Sequence, residues 1–149
     1  MSESQTPPGG YILEELSLGQ SAELQVEITE DRILRFAEAS GDFNPLHVDE
    51  AYAQASPYRG RVAHGLLSAS FVSAVVGTIL PGPGAIYLGQ TLNFHKPVRI
   101  GDVVTARVTV ASIDPASARV TLRTECLVGG EAVLEGEATI RVPRRRRRG

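Results

Sequence analysis

An α+β fold, with a curved antiparallel sheet wrapped round one long apolar helix, is what this sequence predicts. Three observations point there. Residues 64–80 carry Leu66, Leu67, Phe71, Val72, Val75, Val76, Ile79 and Leu80 round most of a helical circumference. A helix apolar on all sides needs cover on all sides. Pro81-Gly82-Pro83-Gly84 stops it, and the chain beyond alternates with the two-residue period of β structure.

The elements follow in order. Residues 1–10 are polar and contain Pro7-Pro8-Gly9-Gly10, which predicts a flexible N-terminal tail. Residues 11–18 and 21–28 are short, partly alternating and weakly strand-like. Thr29 suits a helix N-cap, with Glu30 and Asp31 in the first turn where the helix dipole favours acids. Ile33, Leu34, Phe36 and Ala37 then take helical spacing, and Gly41 ends the helix. Residues 49–55 predict a further short helix, followed by a loop at Ser56-Pro57-Tyr58-Arg59-Gly60.

After the central helix, Ile86, Leu88, Leu92 and Phe94 share one face of a strand interrupted at Gln90 and ending at Pro97. Val104, Ala106, Val108 and Val110 share the next, beyond a turn at Gly101-Asp102. Val120, Leu122, Cys126 and Val128 form a third, which Gly129-Gly130 turns into a fourth. There Leu134, Ala138, Ile140 and Val142 point inward, while Glu135, Glu137 and Arg141 point out. Such a pattern describes an antiparallel meander with one apolar face.

With 149 residues and no internal repeat, the chain reads as one domain. Residues 144–148 are five consecutive arginines; without them the formal charge of −2 becomes −7. An acidic body with a short cationic tail offers no broad basic face for nucleic acid. The tail reads as solvated, a contact with phosphates being the alternative. The lone Cys126 excludes an intramolecular disulfide and any CxxC motif, and its register with strand apolars predicts a buried, inert thiol. His95 and Lys96 resemble an exposed strand end. The N-terminus lacks a basic region followed by an apolar run, so no signal peptide is expected. The helical part of residues 65–84 is too short for a membrane span, and the cytoplasm is the expected compartment.

Ser40-Gly41-Asp42-Phe43-Asn44-Pro45-Leu46-His47, followed by Val62-Ala63-His64-Gly65, is where chemistry gathers. A carboxylate, an amide and an imidazole fall within six positions on a turn that proline helps to fix. Gly65 stands at a helix N-terminus, where free N–H groups receive developing negative charge. Acid, base and oxyanion donor are the parts needed to add water across a polarised double bond. Taken alone, Gly-Asp-x-Asn-Pro is also an ordinary helix stop with an Asx turn.

These residues, together with Ile86-Tyr87-Leu88-Gly89-Gln90 and Pro97-Val98…Gly101-Asp102, resemble the MaoC-like hot-dog proteins. The resemblance spans roughly residues 15–143, with a single hot-dog domain at 11–143 between tails at 1–10 and 144–149. It is nearest to the short (R)-specific enoyl-CoA hydratases that supply polyhydroxyalkanoate monomers. It implies hydration of trans-2-enoyl-CoA to (3R)-3-hydroxyacyl-CoA, without metal or organic cofactor, by a homodimer acting on an acyl-CoA thioester. It assigns Asp42 and His47 as catalytic, Asn44 as orienting, Gly65 as the oxyanion donor and Ser73 as a serine near the site. Val72 and Val76, flanking Ser73, are then either plain core or the lining of an acyl tunnel. His64 reads as loop support or helix cap. Other readings are a 3-hydroxyacyl-ACP dehydratase and a non-catalytic acyl-CoA or acyl-ACP binding module.

Overall fold

The structure, a computed structural model, describes residues 6–145. After a 3-10 turn at Leu13–Glu15 come β1 (Ser21–Glu27), α1 (Glu30–Ser40), α2 (Pro45–Val48), α3 (Glu50–Gln54) and α4 (Gly65–Thr78). β2 (Ile86–Gln90), β3 (Asn93–Phe94), β4 (Val103–Asp114), β5 (Arg119–Val128) and β6 (Glu131–Arg141) complete the chain. The six strands form one antiparallel sheet in the order β1-β4-β5-β6-β2, with β3 also on β6. Only β4-β5-β6 is a true meander. β1 and β2, separated in the chain by all the helices, close its two flanks.

Alternation builds the core as expected. Val104, Ala106, Val108, Val110, Val120, Leu122, Leu134, Ala138 and Ile140 are all buried on the inner face. α4 lies against β1, β4 and β5 and buries Leu67, Phe71, Val72, Val75 and Val76 there. Each such side chain contributes about 1.5–3 kcal/mol on leaving water. The pairing Cys126↔Leu134 places the thiol in this layer; Cys126 is fully buried, and burial pushes its pKa up to about 12. Gly129 and Gly130 both take positive φ, +58° and +81°, as a tight β5–β6 hairpin requires.

Four expectations are corrected. Residues 11–18 are not strand-like: Leu13 and Leu16 are buried three positions apart, which fits a 3-10 turn rather than alternation. Ile86, Leu88 and Phe94 do not face the core but are 53%, 42% and 54% exposed, because β2 and β3 form an open sheet edge. α4 is covered on one side only; Leu66, Ser70, Ser73 and Gly77 form an exposed face. At the N-terminal end, residues 6–10 pack rather than stand free: the Thr6 hydroxyl donates to the Ile79 carbonyl at 2.7 Å and Gly10 is buried. Of the arginine run, 144 and 145 are in the structure and 146–148 lie outside the described residues. No helix of the described residues is long and apolar enough to cross a membrane.

Candidate active site

The segment after α1 is folded by its own short polar side chains. Thr29 caps α1 by accepting from the Arg32 N–H, and Gly41 ends it at φ +83°. The Asp42 N–H donates to Ser40 Oγ, the Asn44 N–H to Asp42 Oδ1 and the Leu46 N–H to Asn44 Oδ1, at 3.0–3.1 Å. These successive turns reverse the chain and deliver Pro45 to the first position of α2, where a missing N–H costs nothing. α2 stands where the sequence predicts only a turn; its four residues are too few for a periodic signal.

α2 carries His47 inward. Its Nδ1 lies 2.7 Å from the Val62 carbonyl. A carbonyl can only accept, so Nδ1 holds the proton and Nε2 of the neutral ring is left as a lone pair. Arg61 fixes the same helix from outside, Nε donating to the His47 carbonyl while Nη1 pairs with Glu30 at 2.8 Å. His64 occupies the N-cap position of α4 without a side-chain capping bond and is only 2% exposed. Its Nε2 donates to the Asp42 carbonyl at 2.9 Å, so the loop-support reading of this histidine describes a contact that is present. Burial lowers its pKa below the ordinary histidine value; the bond to Asp42 opposes that shift and the neighbouring His47 adds to it.

The three side chains converge. One ligand-capable atom from each of Asp42, His47 and His64 lies within 4.8 Å of the others. A carboxylate and two imidazoles so placed are also the groups that would have to hold a cation. Spacing along the chain gave no hint of this, since His64 arrives from a separate loop. Beside them opens a cavity of about 590 Å³. Asp42, Asn44, His47, His64 and Gly65 line it, with Ser68, Phe94 and Val133 further along its wall. Gly65 is the first residue of α4, and a side chain there would stand 2.6 Å from the Phe94 ring. Glycine lets the Phe94 ring rest directly on the helix N-terminus; a larger residue would require that exposed ring to move.

Folding thus brings Asp42, Asn44, His47 and Gly65 to one cavity. Val72 and Val76 are each 1% exposed within the core, and Ser73 is on the open face of α4; none of the three lines the cavity of its own chain. Sequence reasoning missed Ser68 and Phe94. The first had a signal, since it lies one turn beyond His64 on the same helix; the second had none, since its place depends on how β3 joins β6.

Residues 15–128 match the family described as MaoC like domain. Over 135 residues the chain is 55% identical to an (R)-specific enoyl-CoA hydratase of Rhodospirillum rubrum, covering 91% of this chain and 94% of that protein. It is 48% identical over 132 residues to a 3-hydroxybutyryl-CoA dehydratase of Methylorubrum extorquens, covering 89% and 84%. Among solved structures, an unliganded R-hydratase from Pseudomonas aeruginosa aligns with a TM-score of 0.86 at 42% identity, covering 91% of this chain and 88% of that one. With most of its length matched by that domain and shared with these relatives, the chain belongs to the MaoC-like family.

Proposed function

We propose that the protein catalyses reversible, (R)-specific hydration of trans-2-enoyl-CoA to (3R)-3-hydroxyacyl-CoA. The observation that carries this reading is one cavity shared by the Asp42 carboxylate, the His47 imidazole and the N-terminus of α4 at Gly65. Two relatives named for the same interconversion, one for each direction, support it.

In this mechanism a water sits between the Asp42 carboxylate and Nε2 of His47. Asp42 Oδ1 already accepts from the Asn44 N–H, which orients the carboxylate. As the water oxygen attacks the alkene carbon β to the thioester, the Asp42/His47 pair takes up one water proton. Negative charge moves to the thioester oxygen, where the Gly65 N–H receives it; such a donor lowers the barrier by about 3–4 kcal/mol. The pair then returns the proton to the α carbon on the same face, giving syn addition with all atoms accounted for. The two groups act as one proton-handling unit.

The acyl chain is assigned to the stripe of α4 that begins at the cavity wall with Ser68 and continues, every fourth residue, through Val72 and Val76. A homodimer belongs to the same proposal. The open β2 edge, with Ile86 and Leu88 exposed, and the bare, small-residue face of α4 beside Leu66 supply a surface for it. Ser73, expected near the site yet outside its own chain's cavity, would reach one only across that surface. A cytoplasmic setting completes the reading, in keeping with a buried free thiol.

The test is loss of enoyl absorbance with crotonyl-CoA, followed by chiral analysis of the product and repeated on the matching ACP thioester. Formation of the (3R) alcohol with preference for CoA is the expected result. Preference for the ACP thioester would replace the carrier assignment, and absence of turnover on either would leave only a binding module.

A further inference from the structure

Two buried polar atoms at the start of α4 have no partner: Nδ1 of His64 and Oγ of Ser68. The residues are 2% and 1% exposed, and both line the cavity that holds Asp42 and His47. Leaving a buried donor or acceptor unmade carries the full cost of its lost hydration. Two such atoms one turn apart on a single cavity wall call for a common explanation.

The tautomer supplies it. His64 Nε2 faces the Asp42 carbonyl at 2.9 Å and must carry the proton, so Nδ1 of the neutral ring is a bare lone pair. A serine hydroxyl is the complement of a lone pair. Helical side chains lean toward the N-terminus, which directs Ser68 back toward the turn that His64 opens. A rotation about χ1, or one buried water of the kind that settles between polar partners, would join the hydroxyl to Nδ1. The ring so addressed is in contact with both reacting groups. It stacks on His47 with centroids 3.9 Å apart, it holds the main chain of Asp42, and Phe36 closes its remaining side edge-on at 4.9 Å.

We propose that His64 and Ser68 are positioning residues for the Asp42/His47 pair: Ser68 donates to Nδ1, keeps the His64 proton on Nε2, and thereby locks the ring that aligns both partners. Without the hydroxyl, the Asp42 carbonyl alone holds the proton on Nε2, and the Nδ1–H tautomer gains population. Nε2 then turns a lone pair toward the Asp42 carbonyl, and the loop is pushed away. The role in turnover rests on the hydration reading above.

The test uses the full-length protein labelled with 15N-histidine, whose three histidines give few enough ring signals to assign. His64 is expected as the Nε2–H tautomer in the parent and as a mixture in Ser68→Ala. Small misalignments at a reacting centre cost up to about 100-fold, and Ser68→Ala is expected to lower kcat on crotonyl-CoA at least about 10-fold with KM unchanged. His64→Gln places an N–H where Nε2 stands, whereas the amide of His64→Asn extends only as far as Nδ1. The Gln variant should therefore retain several-fold more kcat than the Asn variant. If Ser68→Ala keeps the parental kcat and tautomer while becoming more stable, the hydroxyl is packing and the proposal is overturned. The tautomer measurement needs no turnover. A Ser68-dependent tautomer in a protein inert toward crotonyl-CoA would therefore remove the hydratase reading and leave the Ser68–His64 lock standing.

Discussion

Asp42 and His47 reach one cavity by different means, and that difference fixes what each contributes. Asp42 is exposed and anchored through its backbone, by Ser40 below and His64 above. His47 is anchored through its ring, which leaves one nitrogen for chemistry. Removing either group should therefore spare the fold. Asp42→Ala and His47→Ala are each expected to lower kcat by about 10²–10⁴, the range for a lost proton-transfer group, with an unchanged circular dichroism spectrum. His64 makes a separate contribution to stability. Burial holds its pKa below the ordinary value of 6.5. On acidification the unfolded chain thus binds a proton that the native chain resists, so stability is complete above the unfolded pKa and is lost as pH falls toward the folded one. Thermal melts should show Tm falling between pH 7 and pH 5, and the fall should be shallower in His64→Gln. The pair Asp42 and His47 was legible because a short loop keeps sequence neighbours close in space. The tether at His64 was not, since it joins residues 22 positions apart.

At the scale of elements, periodicity located α1, α4, β4, β5 and β6, where one face is buried along most of the length. It failed at β2 and β3, because apolar residues at an open edge alternate just as core residues do. Gly136 shows what holds that edge in place. A side chain there would stand 1.8 Å from the Thr91 carbonyl oxygen, and Thr91 exchanges bonds with Glu137 at 2.9 and 3.0 Å. The obstacle is backbone, which cannot swing aside. Gly136→Ala is expected to cost about 1–3 kcal/mol, the range for overpacking a fitted site, readable from urea denaturation. The α4 stripe invites a different measurement. Val76 is 1% exposed, so Val76→Ala must leave space. If the acyl chain follows the stripe, the variant should favour longer enoyl-CoA substrates across a C4 to C12 series. An unchanged profile with lowered Tm would return Val76 to plain core.

At the scale of the whole molecule, one group of exposed apolar residues, Leu66, Ile86, Tyr87, Leu88 and Phe94, falls on the β2–β3 edge and the start of α4. Phe94 lies against Gly65, the first residue of α4, which is followed by Leu66, 58% exposed. An open strand edge bearing Ile86, Leu88 and Phe94 is a template for pairing with another chain. Two copies related by a two-fold axis would satisfy it edge to edge and cover both α4 faces at once, since such an interface is made of the same patch twice. In solution the protein should therefore have twice the 15.9 kDa mass of its chain by light scattering. Leu88→Glu sets like charges against each other across that axis without touching the core, and should shift the mass to that of one chain. On the proposal that Ser73 serves a neighbour's cavity across this axis, the same variant should also lose most of its turnover while keeping a folded spectrum. A fully active monomer would separate the catalytic pair from the assembly and show that one chain's cavity is sufficient.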